Sequence, residues 1–492
     1  MSAEARTMIS HIRVLVAAAL CSLAVLPFDL AAQQTPDRGQ RPPVGPPPEL
    51  RLPPVQEFTL ANGLRVLLME KHDLPLVQVN LLVDAGGVRD VPGKLGAAAL
   101  TADMLDEGAA GRSALAIADA FEMLGARFSV AGGLHSAGVS LRAATSRLAA
   151  ALPLMADVVL RPDFPPAELA RLRKERLTAL LRQHDQPGAI AAALATTTLF
   201  GRAHPYGRIA EEASLKALVP ADLRQFHQQY WRPGHATLVV VGDVQPAALR
   251  TLLEANFGGW PAGDAGPATI PAAPQVTGRT IYLVDKPGAA QSVIQLGRIG
   301  VARTTSDYFP LLVMNTILGG YFTSRLNQNL REQHGYTYGA RSSFDFRPAP
   351  GPWLASASVA TNVTGPALRE FFNELEGMLQ PVPAEEAARA ASYIASQFAP
   401  AFQSVSGIAG MIGELVQYGL PASYFDSYTR NVLAVTPAEI ERVAKQYLDP
   451  ARTAVFVVGD VKAIEPQVRA LGLGEVRVLT KEAVLGALPT VE

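Results

Sequence analysis

One segment of the sequence stands out for chemistry: Leu318 to Phe344, LGGYFTSRLNQNLREQHGYTYGARSSF. It sets Arg331 seven residues ahead of Tyr338. A guanidinium and a phenol are hydrogen-bond donors suited to a carbonyl or to an oxyanion forming from one. The local grammar positions them. The pair Gly319-Gly320 precedes a helix expected from about Thr323 to Gln333, and Gly335 suits the left-handed position that ends it. A strand from Tyr336 to Ser343 then puts Tyr336 and Tyr338 on one face. The same residues also have ordinary uses. Arg331 is a favourable charge near a helix C-terminus. Tyr336 and Tyr338 can pack on a sheet, His334 can face solvent at a helix end, and the two glycines can let a helix pack closely. Spacing alone leaves both readings open.

Other familiar constellations are missing. The eight histidines are His11, His72, His135, His184, His204, His227, His235 and His334. No two are four apart, so none supplies the two imidazoles on one helix face that a helical zinc site needs. There is no Gly-x-Ser-x-Gly elbow and no Walker A loop. A formal net charge of -1 gives no basic field for nucleic acid. The only cysteine, Cys21, lies near the N-terminus, so the rest of the chain has neither a disulfide framework nor a thiol nucleophile.

The elements that must position these groups come in two sets. Arg6, His11 and Arg13 precede an apolar run from Val14 to Leu26, followed by Ala31 and Ala32. This reads as a signal peptide over 1–32, hence export, ending in the periplasm. A Pro-rich linker covers 33–54. Beyond it no segment is apolar and long enough to suggest a membrane span. Then the chain repeats itself. Pro220, Tyr230 and Gly242-Asp243 recur as Pro437, Tyr447 and Gly459-Asp460, all offset by 217 positions. Each copy reads as a helix opened by proline, a second proline that ends it, and a β-branched strand turned by Gly-Asp; Thr436 with Glu439 makes a capping box. In the first half, strands are expected at Leu64–Glu70, Leu76–Asp84, Arg127–Ala131 and Ala137–Arg142. Helices are expected at Lys94–Glu107, Ser113–Leu124, Ser146–Leu160 and Pro166–Arg182. The second half opens with strands Thr280–Val284 and Gln291–Leu296. The fold class is α+β: a module over 55–260, a linker over 261–279, a second module over 280–475 and a tail over 476–492.

At this point the motifs resemble a family. Phe58-Thr59-Leu60-Ala61-Asn62-Gly63-Leu64, His204-Pro205-Tyr206-Gly207, both Gly-Asp-Val strands and Asp285-Lys286-Pro287-Gly288 belong to the pattern. Above all, so does Leu330-Arg331-Glu332 leading to Gly335-Tyr336-Thr337-Tyr338. The chain is similar to M16 peptidases (pitrilysin/insulinase, mitochondrial-processing-peptidase-like) over roughly residues 55 to 475. The resemblance implies two tandem M16 modules forming one clamshell half of a chamber. It implies catalytic roles for Arg331 and Tyr338 and substrate contacts for Gly319, Gly320 and Tyr336. It also exposes a departure. Catalytic members carry an inverted His-x-x-Glu-His where this chain has Ala99, Ala102 and Asp103, and a later glutamate where it has Ala179 or Leu180. Alanine and leucine cannot ligate zinc, and no general base remains. The implied protein is therefore a non-catalytic subunit with no activity alone and no cofactor of its own. Zinc is expected in a partner chain bearing His-x-x-Glu-His, and the substrates are peptides. The alternative is a catalytically inert structural or peptide-binding protein of the same fold.

Overall fold

The computed structural model describes residues 52–264 and 266–491; the expected signal peptide, and the linker as far as residue 51, lie outside them. The first six-stranded sheet is made of β1 Gln56–Thr59, β2 Arg65–Glu70, β3 Leu76–Val83, β4 Arg127–Gly132, β5 Ala137–Ala144 and β6 Ala236–Gly242. Its order is β1-β2-β6-β3-β5-β4. The second contains β7 Thr280–Asp285, β8 Gln291–Ile299, β9 Thr337–Phe344, β10 Pro352–Ala360, β11 Ala454–Gly459 and β12 Glu475–Leu479, in the order β12-β7-β11-β8-β10-β9. The two orders match strand for strand. In both sheets the late strand (β6, β11) enters between the first two module strands, parallel to one and antiparallel to the other. The 217-residue repeat is thus a duplicated module. The copies differ at one edge: β1 opens its module and pairs antiparallel, whereas β12 ends its module and pairs parallel. Residues 476–479, assigned to a tail from sequence, therefore belong to the second sheet.

Alternation puts one face of each sheet on helices of its own module. In the first, Val77, Val79, Leu81 and Val83 of β3 meet α1 Ala97–Asp103, α3 Thr145–Leu160 and α6 Pro220–Tyr230, with α2 Ala114–Met123 and α4 Pro166–Gln183 further out. Several starts follow from local chemistry. Gly96 is left-handed, with φ 95°, and Asp90 caps α1 by accepting from the N–H groups of Gly96 and Ala98 at 2.7 and 2.8 Å. That turn shortens the helix expected over Lys94–Glu107. At Pro437–Tyr447 the Thr436 hydroxyl and the Glu439 carboxylate exchange hydrogen bonds with each other's backbone N–H.

The opposite face of each sheet is covered by a helix from the other module. Helix Val405–Tyr418 of the second module sets Ile408, Ala409, Ile412 and Leu415 against Leu67, Met69, Val239 and Val241 of the first sheet. Helix Pro187–Phe200 of the first module sets Ile190, Ala191 and Leu194 against Val284, Phe456 and Val458 of the second. The exchange is reciprocal, and these two lent helices occupy equivalent places in the repeat. Among the described residues no helix is long and apolar enough to cross a membrane.

Candidate functional site

Arg331 does not sit on a regular α-helix. A single α-helical turn, Arg325–Asn327, widens into a π-helical turn, Gln328–Gln333, closed by Tyr336 N–H donating to Leu330 O at 2.8 Å. Wide turns of this kind recur at functional sites. Three polar side chains hold it. Arg325 makes a two-pronged bond to Glu386 at 2.9 and 2.6 Å. Asn327 accepts from Ala340 N–H of β9 at 2.8 Å, and Asn329 donates to Glu370 and Glu374 at 3.0 and 2.7 Å. The Arg331 guanidinium then lies 4.5 Å from the centre of the Phe322 ring, and among the described residues its ionic partner is its neighbour Glu332, at 3.4 Å. Sequence reasoning passed over Arg325, Asn327 and Asn329. Asparagines at inward helix positions were the available signal, because buried amides need partners.

Tyr338 stands on a β-bulge of the edge strand β9: pairing with β10 jumps between Thr337 and Ala340. It is 90 % exposed. It borders a cavity of about 520 Å³ formed by β8, β9, β10 and the start of the lent helix Pro187–Phe200, with Arg341, Gln295 and Ser356 around it. Tyr336 departs from expectation. It precedes the strand, packs partly on the second core and stacks on His334 at 4.9 Å, so it does not share a face with Tyr338. The bulge breaks the period of two on which that expectation rested. Gly319 is also corrected. It is buried in a second π-helical turn, Thr316–Gly320, and a Cβ there would lie 2.4 Å from the backbone nitrogen of Ser342. It lets the turn pack on β9 and touches no open space, while Gly320 is exposed.

The degenerate zinc positions lie on α1 beside the first sheet's edge strand. Ala102 has no exposed surface, and Ala99 and Ala102 pack against Gly132 of β4, where a Cβ would come within 3.0 Å of Ala99 Cα. The guanidinium of Arg176 on α4 bonds the Asp103 carboxylate. Ala179 and Leu180 follow on the same helix. A cation therefore already occupies the one carboxylate of the set, and the residues present do not fit zinc. Among the described residues no group of three metal-ligating side chains occurs.

The motif His204-Pro205-Tyr206-Gly207 fastens the modules. His204 Nδ1 accepts from Tyr206 N–H at 3.0 Å, which leaves Nε2 to donate to Pro271 O of the linker at 2.9 Å. Arg347, from the loop after β9, lies over the Tyr206 ring at 4.6 Å.

Comparison with known proteins agrees with this architecture. The family described as "Insulinase (Peptidase family M16)" matches residues 65–202, and "Peptidase M16 inactive domain" matches 217–393. Together these cover more than half of the chain, which belongs to the M16 peptidase family and is of the type lacking the inverted zinc motif. An uncharacterized zinc protease of Streptomyces coelicolor is 24% identical over 83% of this chain and 90% of its own length. The crystal structure of a peptidase M16 inactive domain from Pseudomonas fluorescens superposes with a TM-score of 0.77 at 28% identity, over 82% of this chain and 98% of that one. The periplasmic protease PqqL from Escherichia coli shares the fold, with a TM-score of 0.71 at 17% identity, over 85% of this chain but 47% of that one.

Proposed function

We propose that this chain is the non-catalytic, substrate-binding subunit of an exported M16 zinc metallopeptidase, supplying Arg331 and Tyr338 to a site whose zinc is held by a partner chain with His-x-x-Glu-His. The observation that carries the reading is a contrast within one molecule. The first module's metal positions are closed by small residues and by the Arg176–Asp103 pair. The second module keeps an exposed tyrosine on a bulge at the edge of a cavity, and an arginine on a braced turn that packs against that strand. Tyr338 is exposed at the edge of a cavity, on a bulge that leaves its phenol free to meet a ligand there. Its phenol and the guanidinium donate hydrogen bonds to a peptide carbonyl oxygen and strengthen them as negative charge gathers there.

Covering 47% of PqqL supports a two-module chain that needs two further modules to enclose a chamber. The periplasmic description of that neighbour and the apolar run Val14–Leu26 both favour export. The test is purification alone and with an M16 partner carrying the zinc motif. Alone, the chain binds no stoichiometric zinc and cleaves no peptide. With the partner, Arg331→Ala and Tyr338→Phe each lower kcat about 100- to 1000-fold, the range seen on removing an oxyanion donor, and leave assembly intact on size-exclusion chromatography. Chelator-sensitive cleavage by the chain alone would falsify the reading. Unchanged kcat in both variants leaves an inert peptide-binding protein of this fold.

A further inference from the structure

A cavity of about 660 Å³ opens on the lent-helix face of the first sheet, floored by β3, β5 and β4 and walled by α2 and Ser406. Two arginines line it. Arg142 of β5 and Arg127 of β4 are direct cross-strand partners, so their side chains leave the same face. Like charges set directly opposite one another destabilise a sheet, and a neighbouring carboxylate normally relieves them. Here none does. Arg142 reaches only the Ser406 hydroxyl, at 3.5 Å, and Arg127 makes no hydrogen bond or ion pair among the described residues. The cavity's own carboxylates, Asp106 and Glu122, pair with neither arginine among the described residues. The floor between is polar and fixed: Gln78, 3 % exposed, bonds Asn80, Ser140 and Ser406 at 2.6, 2.7 and 2.8 Å.

The place of this pair in the duplicated fold is informative. Across the first sheet one row of partners runs Val241, Gln78, Arg142, Arg127. The equivalent row of the second runs Val458, Val293, Ser358 and then the bulge that carries Tyr338. Arg127 therefore stands where the second module presents its exposed tyrosine, at the mouth of the equivalent cavity. We propose that Arg127 and Arg142 form an anion subsite that holds a side-chain carboxylate of an acidic peptide. The subsite rests on the peptide-binding reading above. It gives the first module, whose metal positions are closed, a substrate-selecting role in its own right.

The full-length chain without any partner is titrated against fluorescent 10-residue peptides, read by anisotropy. One is glutamate-rich and C-terminally amidated, one is the lysine counterpart, and one is neutral with a free C-terminal carboxylate. The glutamate peptide binds about tenfold or more tighter than the lysine peptide, the size expected of a charge-assisted pair, and weakens with salt. The double variant R127E/R142E reverses the order. Arg127→Ala weakens glutamate-peptide binding and raises the thermal midpoint by removing the repulsion. Equal affinities, an unreversed order in the double variant, or a lowered midpoint in Arg127→Ala overturns the proposal. Arginine-dependent preference for the neutral free-carboxylate peptide overturns the side-chain assignment. Failure here is distinct from failure of the subunit reading, because binding is measured without a partner. Arg331-dependent proteolysis that ignores both arginines rejects the subsite alone.

Discussion

At the scale of single residues, the first module shows small side chains and an ion pair at the positions where catalytic relatives are expected to hold a metal. Ala99 and Ala102 were legible in the sequence, because replacing imidazole and carboxylate by methyl removes ligands whatever the fold. Arg176 was not legible: its contact with Asp103 joins two helices far apart in the chain. The same holds for two titrating groups in this module. Burial, with Glu107 and Asp103 nearby, pushes the Asp106 carboxyl up to about 6. Burial pulls the His227 imidazole down to about 4, although its Nε2 donates to Val159 O at 2.8 Å. These act in opposite senses over one pH window. Asp106 contributes stability that is fully present below about pH 4 and is lost as pH rises through 6. His227 contributes stability present above about pH 6.5 and lost as pH falls through 4, on the order of 3 kcal/mol. In the wild type the two partly cancel. Asp106→Asn removes one side: it gains about 1–2 kcal/mol at pH 7.5, after allowance for partial solvent exposure, and then loses stability more steeply on acidification. Urea unfolding at pH 7.5 and 4.5 measures both, and parallel profiles for variant and wild type rule the cancellation out.

At the scale of elements, the segment Leu318–Phe344 was recognised in sequence, but its shape was not. Apolar spacing predicts one helix from about Thr323 to Gln333, whereas the chain makes one α-helical turn and then a π-helical turn. The polar side chains of Asn327 and Asn329 prefer fixed partners on β9 and on the helix Thr364–Met378, and the backbone widens to reach them. The bulge at Thr337–Ala340 was invisible for a related reason: alternation shows which residues can share a face, not where a partner strand slips. These irregular pieces are packed closely together. Gly319→Ala drives a methyl into the Ser342 backbone and parts the Thr316–Gly320 turn from β9. The expected cost is about 1–3 kcal/mol; on the proposed reading, kcat of the assembly with the zinc-bearing partner falls more than KM rises, because Arg331 and Tyr338 lose register. Gly339→Ala on β9 itself, where an added Cβ meets only a side-chain oxygen at 3.8 Å, is the control. A destabilised Gly319→Ala with unchanged kcat separates packing from catalysis and rejects the link.

At the scale of the whole molecule, the duplication was plain in the sequence as an ungapped offset, and most strands of both modules fall where their alternation places them. The exchange of helices was not plain. Val405–Tyr418 reads as an ordinary amphipathic helix, and nothing local says which sheet it covers. The exchange makes stability a joint property. Ile412, 1 % exposed, belongs to the second module but packs on the first sheet. Ile412→Ala is expected to cost about 2–5 kcal/mol and to lower the protection of β6 amides in hydrogen exchange along with that of its own helix. Loss confined to the second module contradicts that coupling. The exchange also bears on ancestry. A chain of one module would leave a sheet face bare and an apolar helix unplaced, and two identical copies swapping that helix about a two-fold axis satisfy both. Joining the copies end to end keeps the partner permanently at hand. It also releases the two halves from having to be identical: one could give up metal ligands and acquire a pair of arginines, while the other raised a tyrosine on a bulge at the matching spot.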